Sequence, residues 1–257
     1  MERAASRVEW WLPLLVAIIL LAWALLAFGS GFSLPAFCSA EAWSTVPLSV
    51  SLDLALLLNS PGQLALGWAL MVVAMMLPLA IAPLWHVRER SFARRRGRAT
   101  VLFVAGFIAA WMAAGVVLQA LALLARWMVP MPPACLGLVV AVALLWQVCP
   151  AKQWCLNRCH QRTQLEAFGM AADLDAFRFG ARNGAACAGA CWALMLPMLT
   201  TGPGQLPAMA AVTLFSLAES LEDPAPLAWR WRGAGKAMRI VAAWWPRGPE
   251  RRQINQA

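Results

Sequence analysis

The run LALGWALMVVAMMLPLAIAPLW, from Leu64 to Trp85, holds 22 residues without a charge, and HVRERSFARRRGR, from His86 to Arg98, follows with six arginines. About twenty apolar residues in a helix span the roughly 30 Å of hydrocarbon in a bilayer. A basic cluster directly beyond such a run marks the cytoplasmic side. This stretch predicts a helical membrane protein, and the rest of the chain repeats its pattern.

Composition agrees. The chain is 61% hydrophobic and 13% charged, with a mean hydropathy of +0.64, against about 45–50% apolar and about 25% charged in soluble domains. A soluble fold of 257 residues could not hide this much apolar surface from water. Five further apolar runs are readable: Trp10–Phe28, Thr100–Ala125, the short Pro133–Val148, Gly184–Thr201 and Gln205–Leu221. The first is longer than the h-region of a signal peptide, about 7–15 residues, and lacks a cleavage motif, so it is read as a retained span.

Basic residues then fix the orientation. Arg3 and Arg7 precede span one, six arginines lie between spans two and three, and Lys152, Arg158, Arg162, Arg178 and Arg182 lie between spans four and five. Seven more follow span six. With six spans, 20 of the 21 fall on one side, and only Arg126 lies opposite. The expectation is an all-α polytopic membrane bundle of six transmembrane helices with both termini cytoplasmic, in a bacterial inner membrane. Residues 1–225 form the membrane domain. Residues 226–257 form a basic tail, whose Trp229, Trp231, Trp244 and Trp245 suit a segment lying on an anionic leaflet or a disordered basic end. The loop from Ser30 to Gln63, with Glu41 and Asp53 and no Lys or Arg, is expected outside.

The net charge of +9 does not point to nucleic acid, because the basic residues sit between apolar runs rather than in one patch. Fifteen Trp with no Tyr fit headgroup-level indole rings. No internal repeat is visible, so the inverted-repeat signature of many secondary transporters is missing.

Two cysteine pairs carry the chemistry. Cys155 and Cys159 lie in the cytoplasmic loop between spans four and five, and Cys187 and Cys191 lie near the inner end of span five. Each pair is i, i+4, so a helix presents both sulfurs on one face. In a reducing compartment such thiols are more often metal ligands or redox groups than disulfides. Four thiolates can close a zinc site, and soft sulfur equally suits copper(I). The spacing is not the C-x2-C of zinc ribbons, which favours copper. The opposing reading is that Cys is a small apolar filler. Cys149 and His160 are reserve ligands.

Span five continues with Met195 and Met198, a stripe covering about 16 Å of rise. Span two carries Trp68, Met71 and Met75, with Met75 expected about level with Met195 and the two rows facing. A sulfur path would favour copper(I), although Met commonly fills gaps between helices. Glu219 falls inside span six. An ionisable residue there faces the bundle, pairs with a partner such as Arg182, or snorkels to water. Gly180, Gly184 and Ala188 repeat at four and allow close helix approach.

At these residues the chain resembles a bacterial family of predicted metal-binding integral membrane proteins, a domain of unknown function. The resemblance covers about residues 64–222. It rests on W-x-x-M-x-x-A-M-M-L-P at Trp68, Met71, Ala74, Met75, Met76 and Pro78, and on P-x-K-x-x-C-L-x-x-C at Pro150, Lys152, Cys155, Leu156 and Cys159. It rests further on C-x-G-C-C-W-x-L-M at Cys187, Gly189, Cys191, Trp192, Leu194 and Met195, and on the late glutamate Glu219. Ala190 replaces one of the family's adjacent cysteines, and Asn183 stands where the family usually has His, so the resemblance implies an altered site if those positions are ligands.

Together these features predict a membrane protein that binds a soft transition metal, copper(I) ahead of zinc, through cysteine pairs at its cytoplasmic face. Its partners would be the lipid bilayer and other membrane or metallochaperone proteins. A membrane thiol–disulfide oxidoreductase is the second reading, against which stand the absence of C-x2-C and of a nucleotide fingerprint. A transporter or a structural assembly subunit is the third. Nothing in the chain specifies a small-molecule substrate or a catalytic residue.

Overall fold

In a computed structural model of the chain, the run beginning at Leu64 is helical but is not one helix. Residues 11–28, 61–129, 132–166, 168–200 and 204–244 are described. Arg3 and Arg7, the expected outer loop up to residue 60 with Glu41 and Asp53, and the tail from Trp245 onward lie outside the described residues. Helix α1 covers Trp11–Phe28. Helix α2 covers Pro61–Met76, a 3-10 segment covers Leu77–Ala80, and α3 covers Ile81–Arg90. The expected second span is thus broken midway, and Pro78 is the reason. It has no N–H for the Ala74 carbonyl four residues back, and its ring crowds that turn. The indole N–H of Trp23, on α1, donates to this carbonyl at 3.1 Å.

Helix α4 runs Arg96–Met128, α5 Pro132–Val148, α6 Pro150–Cys159, α7 Gly169–Thr200, α8 Gln205–Ser220 and α9 Gly235–Trp244. Among the described residues the chain is all-α. Three stretches, Trp11–Phe28, Ala65–Arg90 and Arg96–Ala125, are long and apolar enough to cross a membrane; α5 and α6, bent by 66°, would add a fourth if taken as one span. The bend falls at Cys149, which is extended, as a residue preceding proline prefers. Helix α7 begins at Gly169, well before the expected start of span five at Gly184. Arg178 and Arg182, expected in a loop, therefore lie on a helix.

Helices α4 and α7 form the spine. They run parallel and close, because glycines remove the side chains between them. A Cβ at Gly180 would overlap the Phe103 carbonyl oxygen, one at Gly106 the Phe177 carbonyl oxygen, and one at Gly184 would sit 2.7 Å from the Phe107 carbonyl oxygen. At the start of both helices, Asp173 takes salt bridges from Arg95 and Arg98, each at 2.6 Å. Helices α1 and α2–α3 are antiparallel: Trp23 meets Ala74 at one end, and at the other Arg88 lies 4.9 Å over the Trp11 ring. The α2–α3 unit is antiparallel to α4, since Trp68 donates to the Trp111 carbonyl at 2.9 Å while Arg88 donates to Thr100 at 3.1 Å. Helix α8 returns antiparallel to α7, with Gln205 donating to the Met198 carbonyl at 3.2 Å and Cys191 3.8 Å from Ser216.

The segment after α8 folds back on α6. Asn157 donates to the Ala225 carbonyl at 2.7 Å and accepts from the Ala225 N–H at 3.1 Å and from Arg232 at 3.2 Å. Arg232 also donates to the Asp223 carbonyl. Gln153 donates to the Arg230 carbonyl at 3.0 Å. The start of the tail is thus tied to the cysteine-bearing helix.

Candidate functional site

Cys187 and Cys191 sit one turn apart on α7, both buried, with the Cys191 thiol 3.8 Å from the Ser216 hydroxyl. On a helix, i and i+4 Cβ atoms stand about 5–6 Å apart, so one ion can bridge the two sulfurs. Behind them lies Trp111 of α4, fully buried. Its indole N–H finds no acceptor of good geometry and approaches the Cys187 sulfur. Trp68 fixes that ring by donating to the Trp111 backbone carbonyl, which ties the first family motif to the third.

The bend at Cys149 turns α6 across the middle of α7, at Asn183 and Gly189. Gly189 admits it: a Cβ at that position would lie 2.6 Å from the Cys155 sulfur. The Trp146 indole N–H of α5 donates to the Gly189 carbonyl at 3.1 Å, and its ring meets Trp192 edge-on at 5.0 Å. Cys155 is buried and Cys159 half-buried. Helix α6 lies beyond the apolar run of the fourth expected span, and its thiols are held neutral. Burial pushes Cys159 up to about 12, helped by the nearby sulfurs of Cys191 and Cys155 and opposed by Arg232. Burial and then Cys191 raise Cys155, with Arg158 opposing.

A cavity of about 90 Å³ opens among these elements, lined by Cys159, Cys187, Cys191, Asn183, Ser216 and Glu219. Cys155 stands outside its lining. Among the described residues, no three His, Cys, Asp or Glu side chains are close enough to cage a metal ion as they stand. A structural zinc site needs four closed ligands in a tetrahedron. Copper(I) is satisfied by two or three sulfurs, and its softness matches thiolate. The donor set therefore fits copper(I) better than zinc.

Glu219 does not pair with Arg182. Its carboxylate accepts two hydrogen bonds from the Lys152 ammonium of α6, at 2.8 and 2.7 Å, and the two side chains are 1% and 3% exposed. Lys152 also lies 5.6 Å from the Phe215 ring centre. The ammonium thus holds in place the Glu219 carboxylate, which lines the cavity. A short, compact cation was needed there, and Lys152 is one of two lysines among 21 basic residues. That rarity, inside the P-x-K-x-x-C motif, is the signal that singles it out. Trp111 and Ser216 carry no comparable mark in the sequence.

The reserve ligands fare differently. Both ring nitrogens of His160 face carbonyl oxygens, Leu156 at 2.9 Å and Ser220 at 3.1 Å, so ligation would break an existing contact. Cys149 is a free thiol at the N-cap of α6 and does not line the cavity. Met71, Met75, Met195 and Met198 are all buried, but none lines the cavity. Helices α2 and α7 share α4 and α8 as neighbours rather than packing mainly on each other. Asn183 lines the cavity where the family's His would stand, and it donates to the Cys159 carbonyl at 3.4 Å.

Sulfur donors around a small buried cavity suit a soft ion rather than an organic ligand. Residues 65–244 match the PpoB2 family, described as copper chaperone, and the chain belongs to that family. Searches of curated proteins and of solved structures returned no match. The family ties the chain to copper, the metal that the sequence reading put ahead of zinc.

Proposed function

We propose that this chain is a six-span protein of a bacterial inner membrane, with cytoplasmic termini, that takes copper(I) onto its cysteine pairs and passes it to an acceptor protein. The observation that carries this is the cavity that Cys159, Cys187, Cys191 and the Lys152-paired Glu219 line together, in a copper chaperone family member. Cys187 and Cys191 hold the ion, Cys159 supplies a third sulfur, and Cys155 exchanges with them from α6. Copper is cargo, so a site that is not a closed cage suits release as well as capture.

Helix direction supports the topology. Crossings one, three and five must run one way and two and six the other, and α1, α4 and α7 do run one way while α2–α3 and α8 run the other. Arg88, Arg95 and Arg98 then gather at one end, as the positive-inside rule requires. The tail helix α9 carries exposed Met238 and Val241 on one face with Lys236 and Arg239 on the other, which suits the same leaflet's surface.

The thiol oxidoreductase reading is less well served. A disulfide needs Cβ atoms about 3.5–4.5 Å apart, and an i, i+4 helical pair holds them about 5–6 Å apart.

The test is a copper(I) titration of the purified, reduced, full-length protein. One tightly held ion is expected. Cys187→Ser/Cys191→Ser should abolish tight binding, while Cys155→Ser should slow loading and leave the stoichiometry unchanged. Wild-type protein that holds no copper(I) under these conditions would refute the reading.

A further inference from the structure

A second, larger cleft of about 520 Å³ lies against the sulfur cavity, on the α6 side of α7. Cys155, Arg158, Arg182, Thr163 and Asn183 are among its lining. Its volume falls in the range of small-molecule sites, about 300–1,000 Å³. Three features set it apart from an ordinary surface groove. Asn183 lines both the cleft and the cavity, so one side chain forms the partition. Cys155, missing from the cavity lining, lines the cleft instead. Two guanidinium groups line it, and no acidic side chain does.

The cleft is also braced. The His86 ring on α3 bonds the Thr163 carbonyl at 3.1 Å, fixing the strand of chain that forms one rim. Arg158 is laid over the Trp154 ring at 4.2 Å. Neither Arg158 nor Arg182 makes a salt bridge among the described residues. Both are left to meet an anion, and Arg presents a planar fork that matches carboxylate.

We infer that this cleft is the loading vestibule, and that it receives copper(I) as a complex with a small thiol bearing carboxylates. The inference rests on the copper reading above and adds the form in which copper arrives. On the cytoplasmic side the abundant thiols of this class are glutathione-like. The carboxylates seat on Arg158 and Arg182, which brings the carrier's copper–sulfur bond to Cys155. The exchange conserves charge and oxidation state. Cys155 sulfur forms a bond to copper(I), the carrier sulfur loses its own, and the Cys155 thiol proton leaves on the carrier thiolate. Copper(I) then passes Asn183 to Cys159, Cys187 and Cys191.

The test uses full-length, reduced protein and two donors, copper(I)–glutathione and copper(I)–2-mercaptoethanol, the second without carboxylates. Loading from glutathione should saturate. In R158Q/R182Q its half-saturating concentration should rise at least tenfold, while loading from mercaptoethanol should stay within twofold of wild type. R158K/R182K should fall between. Equal effects on both donors, or on neither, would overturn the inference. A copper-free arm separates it from the copper reading. S-methylglutathione should bind the wild type saturably and R158Q/R182Q at least tenfold more weakly. Absence of that binding refutes the vestibule even if copper is held, and its presence in protein that holds no copper refutes only the chaperone reading.

Discussion

Lys152 and Glu219 form an ion pair with almost no access to water, and cutting it from one side should be among the most damaging single changes in the chain. The ammonium reaches both carboxylate oxygens, at 2.8 and 2.7 Å, with the side chains 1% and 3% exposed. At an effective dielectric of about 20, unit charges this close attract by about 6 kcal/mol. Desolvating both groups consumes much of that gain, so the pair contributes little net stability. Removing one partner is different, since it strands the other charge: about 3–5 kcal/mol is expected. Glu219→Gln keeps an acceptor oxygen for the ammonium and should fall at the low end, Glu219→Leu at the high end. Lys152→Met/Glu219→Leu strands nothing and should cost far less than the two single changes added together. Equilibrium unfolding in one detergent, followed by tryptophan fluorescence, measures all four corners of the cycle. Additivity of the singles to within about 0.5 kcal/mol, the level expected of independent sites, would refute the pairing.

Gly180→Ala places a Cβ against the Phe103 backbone, where only a helix shift can relieve it, so a loss of about 1–3 kcal/mol or more is expected. Gly189→Ala meets only the end of the Cys155 side chain at 2.6 Å; unfolding should change little, while copper loading through Cys155 slows. Equal destabilisation by the two would contradict this account of α6 packing. Copper(I) uptake should release protons, because burial keeps Cys159, pushed up to about 12, and Cys155 as neutral thiols at pH 7. Each proton lost steepens affinity about tenfold per pH unit, so binding weakens as pH falls; calorimetry in buffers of different ionisation enthalpy would show no proton release if these thiols were not ligands. In nanodiscs of anionic lipid the amides of α9 should exchange more slowly than in neutral lipid, and Met238→Glu/Val241→Glu should remove the difference. Identical exchange in both lipids would detach the tail from the membrane surface.

What the sequence disclosed followed from local chemistry. Helical runs and their order come from apolar length, and each expected span falls on helix among the described residues, the second divided between α2, a 3-10 segment and α3. The sequence reading takes this run as one span and passes over the break at Pro78, although proline lacks an N–H; the Trp23 indole that covers the Ala74 carbonyl leaves no local signal at all. That contact joins residues 51 apart in the chain, and no periodicity encodes it. The cysteine pairs were legible through their spacing. The approach of Cys159 to the cavity of Cys187 and Cys191, and the placement of Cys155 outside it, depend on the bend at Cys149 and on the missing side chain at Gly189, which matter only once α6 and α7 meet. Glu219 was singled out as ionisable within a span. Its partner was misjudged because Arg182 is close along the basic face, whereas Lys152 becomes its neighbour only when α6 folds across the bundle.

The same bend connects capture with release. A rigid four-sulfur cage would hold a soft ion tightly and surrender it slowly, which defeats a carrier. Here the sulfurs sit on two separate elements: Cys187 and Cys191 on the spine helix, Cys155 and Cys159 on a short helix joined to α5 by a single extended residue. Helix α6 is held in place by Lys152 to Glu219 on one face and by Asn157 and Gln153 to the returning tail on the other. Whatever engages the tail therefore acts directly on the helix that carries two of the four proposed sulfur ligands. An acceptor docking there could loosen Cys155 and Cys159 without touching the spine, lowering the number of sulfurs on copper(I) at the moment of transfer. Capture would then be set by the fixed pair and release by the tethered one.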